Sequence, residues 1–267
     1  MGGGGVLNLY LLRHGETEFS RGDRFCGDID APLTAAGLEM GERFADAYGS
    51  LRWRAIVTST RRRTVTTAEP LASRCGVQTR RDGRLDEMFF GDWQGLTKRE
   101  AAARDPARYA RWRQDPTVGA PGGDSPFDVS ARALAAIDDL RTRYDSGNVL
   151  VVSHKTVLRL LLCRLLNVDL RRYRDVVDWP TGAVTLLELG PCQATARFLA
   201  DEGHLLPQPR GNLIGEQDTG WGELDVTFVD DQPAGIDGAP DLDVAAPEGI
   251  DAMTGAMASA VDPVGGA

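Results

Sequence analysis

The chain has 267 residues, 42% of them hydrophobic and 26% charged, with a formal net charge of −9. That length can bury a full core, as one large domain or two small ones, and the composition is that of a soluble globular protein. The charge is uneven. Residues 211–267 hold 12 of the 39 Asp and Glu and no Lys or Arg, which leaves 30 basic against 27 acidic residues in 1–210. A mildly basic body suits a small anionic ligand and is too weak to argue for nucleic acid.

The leader MGGGG precedes the first strand signal and lacks a basic region, so neither a signal peptide nor a phosphate loop is expected there. The apolar run Leu7–Leu12 reads as a strand and stops at Arg13, His14, Gly15 and Glu16. A helix follows in TAAGLEMGERFADAYG, with Thr34 as N-cap. AIVT, 55–58, is the second strand, and RTVTTAEPLASRCG the next helix, with Pro70 arguing for a break or an early turn. VQTRRDGRL is a weaker strand leading to Leu85. LTKREAAARDPARYARWRQD is a polar helix interrupted near Pro106. SPFDVSARALAAIDDLRTRY is long and amphipathic, with Ser125 as N-cap and Pro126 at the first helical position. NVLVVSH, 148–154, is a strand buried on both faces, followed at once by the apolar helix KTVLRLLLCRLLNV and by the strand AVTLLEL.

This alternation predicts an α/β fold: a three-layer, doubly wound, mostly parallel sheet with helices on both faces. The expected division is a catalytic domain at 1–206 and an acidic, low-complexity, disordered tail at 207–267. No apolar stretch reaches the roughly 18–20 residues of a membrane helix. Cys26, Cys75, Cys163 and Cys192 are widely spaced and form no CxxC pair, which points to free thiols in a reducing, cytoplasmic compartment. No G-x-S-x-G or H-E-x-x-H motif is present, and three histidines with scattered cysteines mark no metal site. No metal or cofactor is expected, nor a nucleic-acid or membrane partner; the oligomeric state stays open.

Ligands of open α/β sheets bind outside the carboxyl ends of the strands. The first strand ends in Arg13-His14, the second in Thr58-Ser59 ahead of Arg61, Arg62 and Arg63, and the third in Ser153-His154-Lys155. Two of the three arginines in that run read as a solvated helix face. Cations gathered in one place repel and are costly to bury, so the rest imply an anion. Arginine's planar fork favours phosphate or carboxylate, and the helix start near Thr60 is expected to add backbone N–H donors.

These residues resemble the signatures of the histidine phosphatase superfamily, which includes cofactor-dependent phosphoglycerate mutases and many small-molecule phosphatases. LLRHGET matches its RHG(E/Q)T motif, and TSTRRRTVTTAEPL its S-x-x-x-R-A-x-x-T-A segment, with Arg63, Thr67 and Ala68 in register and Thr64 where alanine is usual. LDEMFFGDWQG, PGGDS and VVSHKTVLR are similar to three further motifs, in order. The match runs from about Leu7 to about Leu206. The resemblance implies a phosphohistidine intermediate on His14, phosphoryl oxygens held by Arg13, Arg63 and His154, and Glu87 as general acid and base.

Some positions depart from the pattern. Ser20 stands where asparagine often helps bind phosphate, and Asp124 is one methylene shorter than the usual glutamate. Cys26 stands where glutamine or threonine is common. Lys155 replaces a glycine; contact with phosphate or a substrate carboxylate and plain solvent exposure are both open to it. His204 is read as structural.

Mutases of the family carry a long insertion between the acid and the second histidine. Here Glu87 and His154 are only 67 residues apart. The expected activity is therefore a metal-independent phosphatase acting on a small phosphorylated metabolite, with a rim of Arg21, Arg24, Phe25, Phe89, Trp112 and Phe127. The alternatives are a cofactor-dependent phosphoglycerate mutase and a non-catalytic phosphate-binding or interaction module.

Overall fold

The structure, a computed structural model, describes residues 5–191 and 193–206. The expected acidic tail, the first glycines and Cys192 lie outside the described residues.

Six strands form one sheet. In chain order the elements are β1 (Leu7–Arg13), the single turn α1 (Glu18–Arg21), α2 (Ala35–Tyr48), β2 (Trp53–Thr58), α3 (Arg62–Cys75), β3 (Thr79–Arg81), α4 (Lys98–Arg104), α5 (Pro106–Gln114), α6 (Pro126–Arg143), β4 (Gly147–Ser153), α7 (Lys155–Leu165), β5 (Val184–Leu189) and β6 (Ala194–Asp201). The spatial order is β3-β2-β4-β1-β5-β6. The first four of these run parallel, and β5 and β6 extend the β1 edge antiparallel.

Period-two alternation divides the sheet's side chains between two cores. Leu7, Leu9 and Leu11 of β1, with Val149 and Val151 of β4, pack under α6 and α7. Tyr10 and Leu12, with Leu150 and Val152, pack under α2 and α3 through Phe44, Ala45, Ala68 and Leu71. Each fully buried aliphatic side chain contributes about 1.5–3 kcal/mol. Burial on both faces explains why β1 and β4 read as unbroken apolar runs rather than as alternating strands.

The expected caps form: the Thr34 hydroxyl accepts from the Gly37 N–H, and Ser125 accepts from the Phe127 N–H. Pro70 does not break its helix. It sits inside α3, where it removes only the donor that would reach Thr66. The helix is held there by packing on α2: a side chain at Gly41 would meet the Thr67 carbonyl at 2.9 Å and Pro70 Cγ at 3.6 Å. Strand β6 escapes a sequence reading. It is an edge strand of ATARFLAD whose small residues give little apolar contrast, and its register with β5 is irregular.

Candidate active site

The order β2-β4-β1 places three strand ends side by side. Arg13 pairs with Ser153 and Thr58 with Val152, so the next residues, His14, His154 and Ser59, leave the sheet together. The His14 and His154 ring centroids are 5.2 Å apart. A cavity of about 350 Å³ opens over them, with Arg13, His14, Ser20, Arg63, Glu87 and Lys155 in its wall.

His14 is buried, and its Nδ1 lies 2.8 Å from the Gly15 carbonyl oxygen. A carbonyl can only accept, so the proton is on Nδ1 and Nε2 keeps its lone pair. Burial, then the Arg63 and Arg13 guanidiniums, hold its pKa well below 6.5. The imidazole is therefore neutral at physiological pH. Glycine is required after it: a Cβ on Gly15 would lie 2.3 Å from the Gly37 carbonyl oxygen at the start of α2.

Arg63 is 1% exposed although it is an arginine. Its Nη1 donates to the Ile29 carbonyl at 2.7 Å, its Nη2 to Gly27 at 3.0 Å, and its Nε to His154 Nδ1 at 3.2 Å. Arg13 donates from Nη1 to the Trp179 carbonyl at 2.6 Å, and burial lowers its pKa to about 10, which leaves it charged at neutral pH. Neither has a carboxylate partner among the described residues. Arg61, by contrast, pairs with Asp28 and Asp86, and Arg62 is exposed, as expected for two of the three.

His154 is fully buried beside His14 and Arg63 rather than on the cavity wall. Its Nε2 is 2.8 Å from Ser59 Oγ, so both ring nitrogens are engaged within the protein. Direct contact with a phosphoryl oxygen therefore requires His154 to give up one of these two partners.

Glu87 lines the cavity with no ion-pair partner among the described residues. Its Oε1 accepts from the Met88 N–H at 2.9 Å, and Oε2 is 3.4 Å from the Thr156 N–H at the start of α7. Its backbone is clamped: Arg132 donates to the Glu87 carbonyl at 3.1 Å and to the Arg84 carbonyl at 2.7 Å, and lies 3.7 Å from Asp124. Asp124 Oδ2 accepts from the Phe89 N–H at 3.0 Å. Gly91, at φ +50°, lets the turn press on the next loop, where a Cβ would meet the Pro121 carbonyl at 2.0 Å. The Asp124 loop thus fixes the backbone from which the Glu87 side chain projects.

The expected backbone donors are not available, and the remaining expected positions divide between the cavity wall and elsewhere. The N–H groups at the start of α3 are already taken: Thr60 and Arg62 donate to Asp86 and Asp30 at 2.7 and 2.8 Å, and Arg61 donates to Ser59 Oγ at 3.2 Å. Ser20 lies in the cavity wall, yet its hydroxyl donates to the Thr17 carbonyl at 2.9 Å as part of the cap of α1. Lys155 lines the cavity and pairs with Asp178 at 2.7 Å, so it is neither free nor simply solvated. Of the expected rim, Arg24, Phe25 and Trp112 line the cavity; Arg21, Phe89 and Phe127 do not, and Phe90 takes the place of Phe89. His204 is away from the cavity, edge-on to Phe44 and Tyr48.

The family model for the histidine phosphatase superfamily, branch 1, matches residues 9–202. The chain belongs to this superfamily. It is 33% identical over 182 residues to a glucosyl-3-phosphoglycerate phosphatase of Mycolicibacterium vanbaalenii, covering 66% of this chain and 78% of that one. It is 29% identical to phosphoserine phosphatase 1 of Hydrogenobacter thermophilus, over 63% of this chain and 80% of the other. Among solved structures, Bacillus stearothermophilus YhfR superimposes with a TM-score of 0.71 at 31% identity, over 75% of this chain and all of that one.

In this histidine phosphatase the outer cavity wall also holds residues that sequence reasoning missed: Lys98, Arg159, Tyr173 and Arg174. Arg159 alone left a trace, since it lies four positions after Lys155 and shares its helix face. Tyr173 and Arg174 follow α7 in a segment with no regular pattern to place it.

Proposed function

We propose that this phosphatase hydrolyses small organic phosphomonoesters in two steps through His14. Nε2 attacks phosphorus, the P–O bond to the leaving group breaks, and protonated Glu87 gives its proton to the departing oxygen. Glu87, now a carboxylate, takes a proton from water. The water oxygen attacks phosphorus, the N–P bond breaks, and inorganic phosphate leaves. Arg13 and Arg63 neutralise the phosphoryl oxygens throughout, the largest contribution in a reaction that depends on positioning and charge. The observation that carries this reading is a buried imidazole whose Nδ1 meets the Gly15 carbonyl, beside two guanidiniums that have no carboxylate partner among the described residues.

The mutase reading has less support. The helices α4, α5 and α6 lie between Glu87 and His154 and leave no room for a long insertion. Cys26, Cys75 and Cys163 are free thiols, in keeping with a reducing, cytoplasmic setting. Among the described residues no helix is long and apolar enough to cross a membrane.

Hydrolysis of p-nitrophenyl phosphate in excess chelator tests the proposal. The wild-type chain should turn over, and His14→Ala should lose at least about 10³-fold in kcat/KM. Retained turnover in that variant overturns the nucleophile. With 3-phosphoglycerate and a bisphosphate primer, the product should be inorganic phosphate; an isomerised phosphoglycerate would establish the mutase instead.

A further inference from the structure

Among the described residues the Arg13 guanidinium has one hydrogen-bond acceptor. Its Nη1 donates to the Trp179 carbonyl at 2.6 Å, while its Nε is buried without a partner. The direction of the guanidinium therefore depends on where Trp179 sits. That residue lies in the loop before β5, and the loop is held at both ends. At the β5 end the Ala183 carbonyl accepts from the Arg13 N–H and from Trp179 Nε1, both at 3.1 Å. At the other end Asp178 Oδ1 accepts from the Trp179 N–H at 3.0 Å. The same oxygen lies 2.7 Å from Lys155 Nζ and 3.2 Å from Arg159 Nη2, one helical turn apart on α7. One atom thus joins the loop that holds Arg13 to the helix that starts directly after His154.

We propose that Asp178 is a positioning residue: through the Trp179 carbonyl it aims the Arg13 guanidinium at the phosphoryl oxygens. This rests on the phosphatase reading, in which Arg13 contacts the phosphate. Lys155, which stands where the family pattern has glycine, then serves as an anchor of Asp178 rather than as a contact of the substrate. An exposed ion pair adds little stability by itself, so the value of this one lies in what it holds still. Charge alone gives the opposite expectation. Asp178 is an anion close to a site for an anion, and if it acted only through its field, removing it would strengthen phosphate binding. Positioning requires that removing it weaken binding, so the sign of the change separates the two. The side chain is 77% exposed and stands outside the cavity wall, so replacing it disturbs neither the core nor the lining.

The test reads the binding of inorganic phosphate by calorimetry on the full chain, with kcat/KM for p-nitrophenyl phosphate alongside. Asp178→Ala should weaken phosphate roughly 3- to 10-fold, the range of one net hydrogen bond, and lower kcat/KM by at least the same factor. In the Arg13→Lys background, which has no guanidinium to aim, the same change should cost less than about twofold. Phosphate bound by Asp178→Ala as tightly as by wild type, or more tightly, overturns the proposal. An equal loss in both backgrounds also overturns it, because a general loosening of the fold does not act through Arg13. Failure of the phosphatase reading shows separately, as absent hydrolysis of p-nitrophenyl phosphate by wild type, and leaves the comparison of phosphate affinities readable.

Discussion

Proton placement at the site is set by a chain of single hydroxyls. Thr64 Oγ1 donates to the Arg61 carbonyl at 2.8 Å, so it accepts from Ser59 Oγ, also at 2.8 Å. The Ser59 proton is then used, and Ser59 Oγ accepts from His154 Nε2. That leaves the His154 Nδ1 lone pair for Arg63 Nε, which helps to hold the guanidinium in the cavity wall. Burial first, then Arg63, hold the His154 pKa well below 6.5, consistent with a neutral ring that accepts from a cation. Thr64, where the family pattern has alanine, is thus the far end of this chain. Ser59→Ala leaves the Nε2–H buried without a partner and should cost about 1–3 kcal/mol in denaturant unfolding. It should also raise KM more than it lowers kcat, because the ring that accepts from Arg63 Nε is no longer held from its other side. Unchanged stability and KM would show that the hydroxyl chain does not orient His154.

Elements meet at the site through contacts that leave no room for a side chain. The turn after β1 and the first turn of α2 touch backbone to backbone: a Cβ on Gly15 meets the Gly37 carbonyl oxygen at 2.3 Å, and one on Gly37 meets the Glu16 carbonyl oxygen at 2.1 Å. Gly15→Ala must therefore push the two elements apart, at about 1–3 kcal/mol for an overpacked contact. It also moves the carbonyl that locks His14, so kcat should fall further than stability alone accounts for. A variant with wild-type kcat and melting temperature would contradict that coupling. This contact is partly legible in the sequence, since a glycine after Arg-His at a strand end marks a tight turn, whereas its partner Gly37 lies inside a helix pattern. β1, β2 and β4 were legible because burial on both faces gives an unbroken apolar run. α1 was not, because four residues show no period. Pro70 misled because local propensity cannot register the packing of α3 on α2.

The whole molecule turns chain-distant residues into neighbours. Positions 14, 59 and 154 meet because β4 inserts between β1 and β2, and that order is a property of the sheet rather than of any segment. The ordered motifs made the inner site readable: Arg13, His14, Arg63 and Glu87 stand around one cavity, with His154 against them. The outer wall was only partly readable: Arg24, Phe25 and Trp112 stand in it as expected, but Tyr173 and Arg174 reach it from a segment without pattern, and Arg174 is placed by stacking on Trp112 of α5. The uneven charge follows the same division, with the basic residues in the part of the chain that holds the site and the last 57 residues wholly without them. All of this serves one claim, that phosphorus is transferred to Nε2 of His14. The most direct measurement is a rapid chemical quench of the wild-type chain with a phosphomonoester, followed by mass spectrometry of its peptides. The account predicts one added phosphoryl group, labile to acid and stable to base, on the peptide holding His14, and none in His14→Ala. Full turnover with no phosphorylated His14 peptide at any quench time, or the label on another residue, would contradict it.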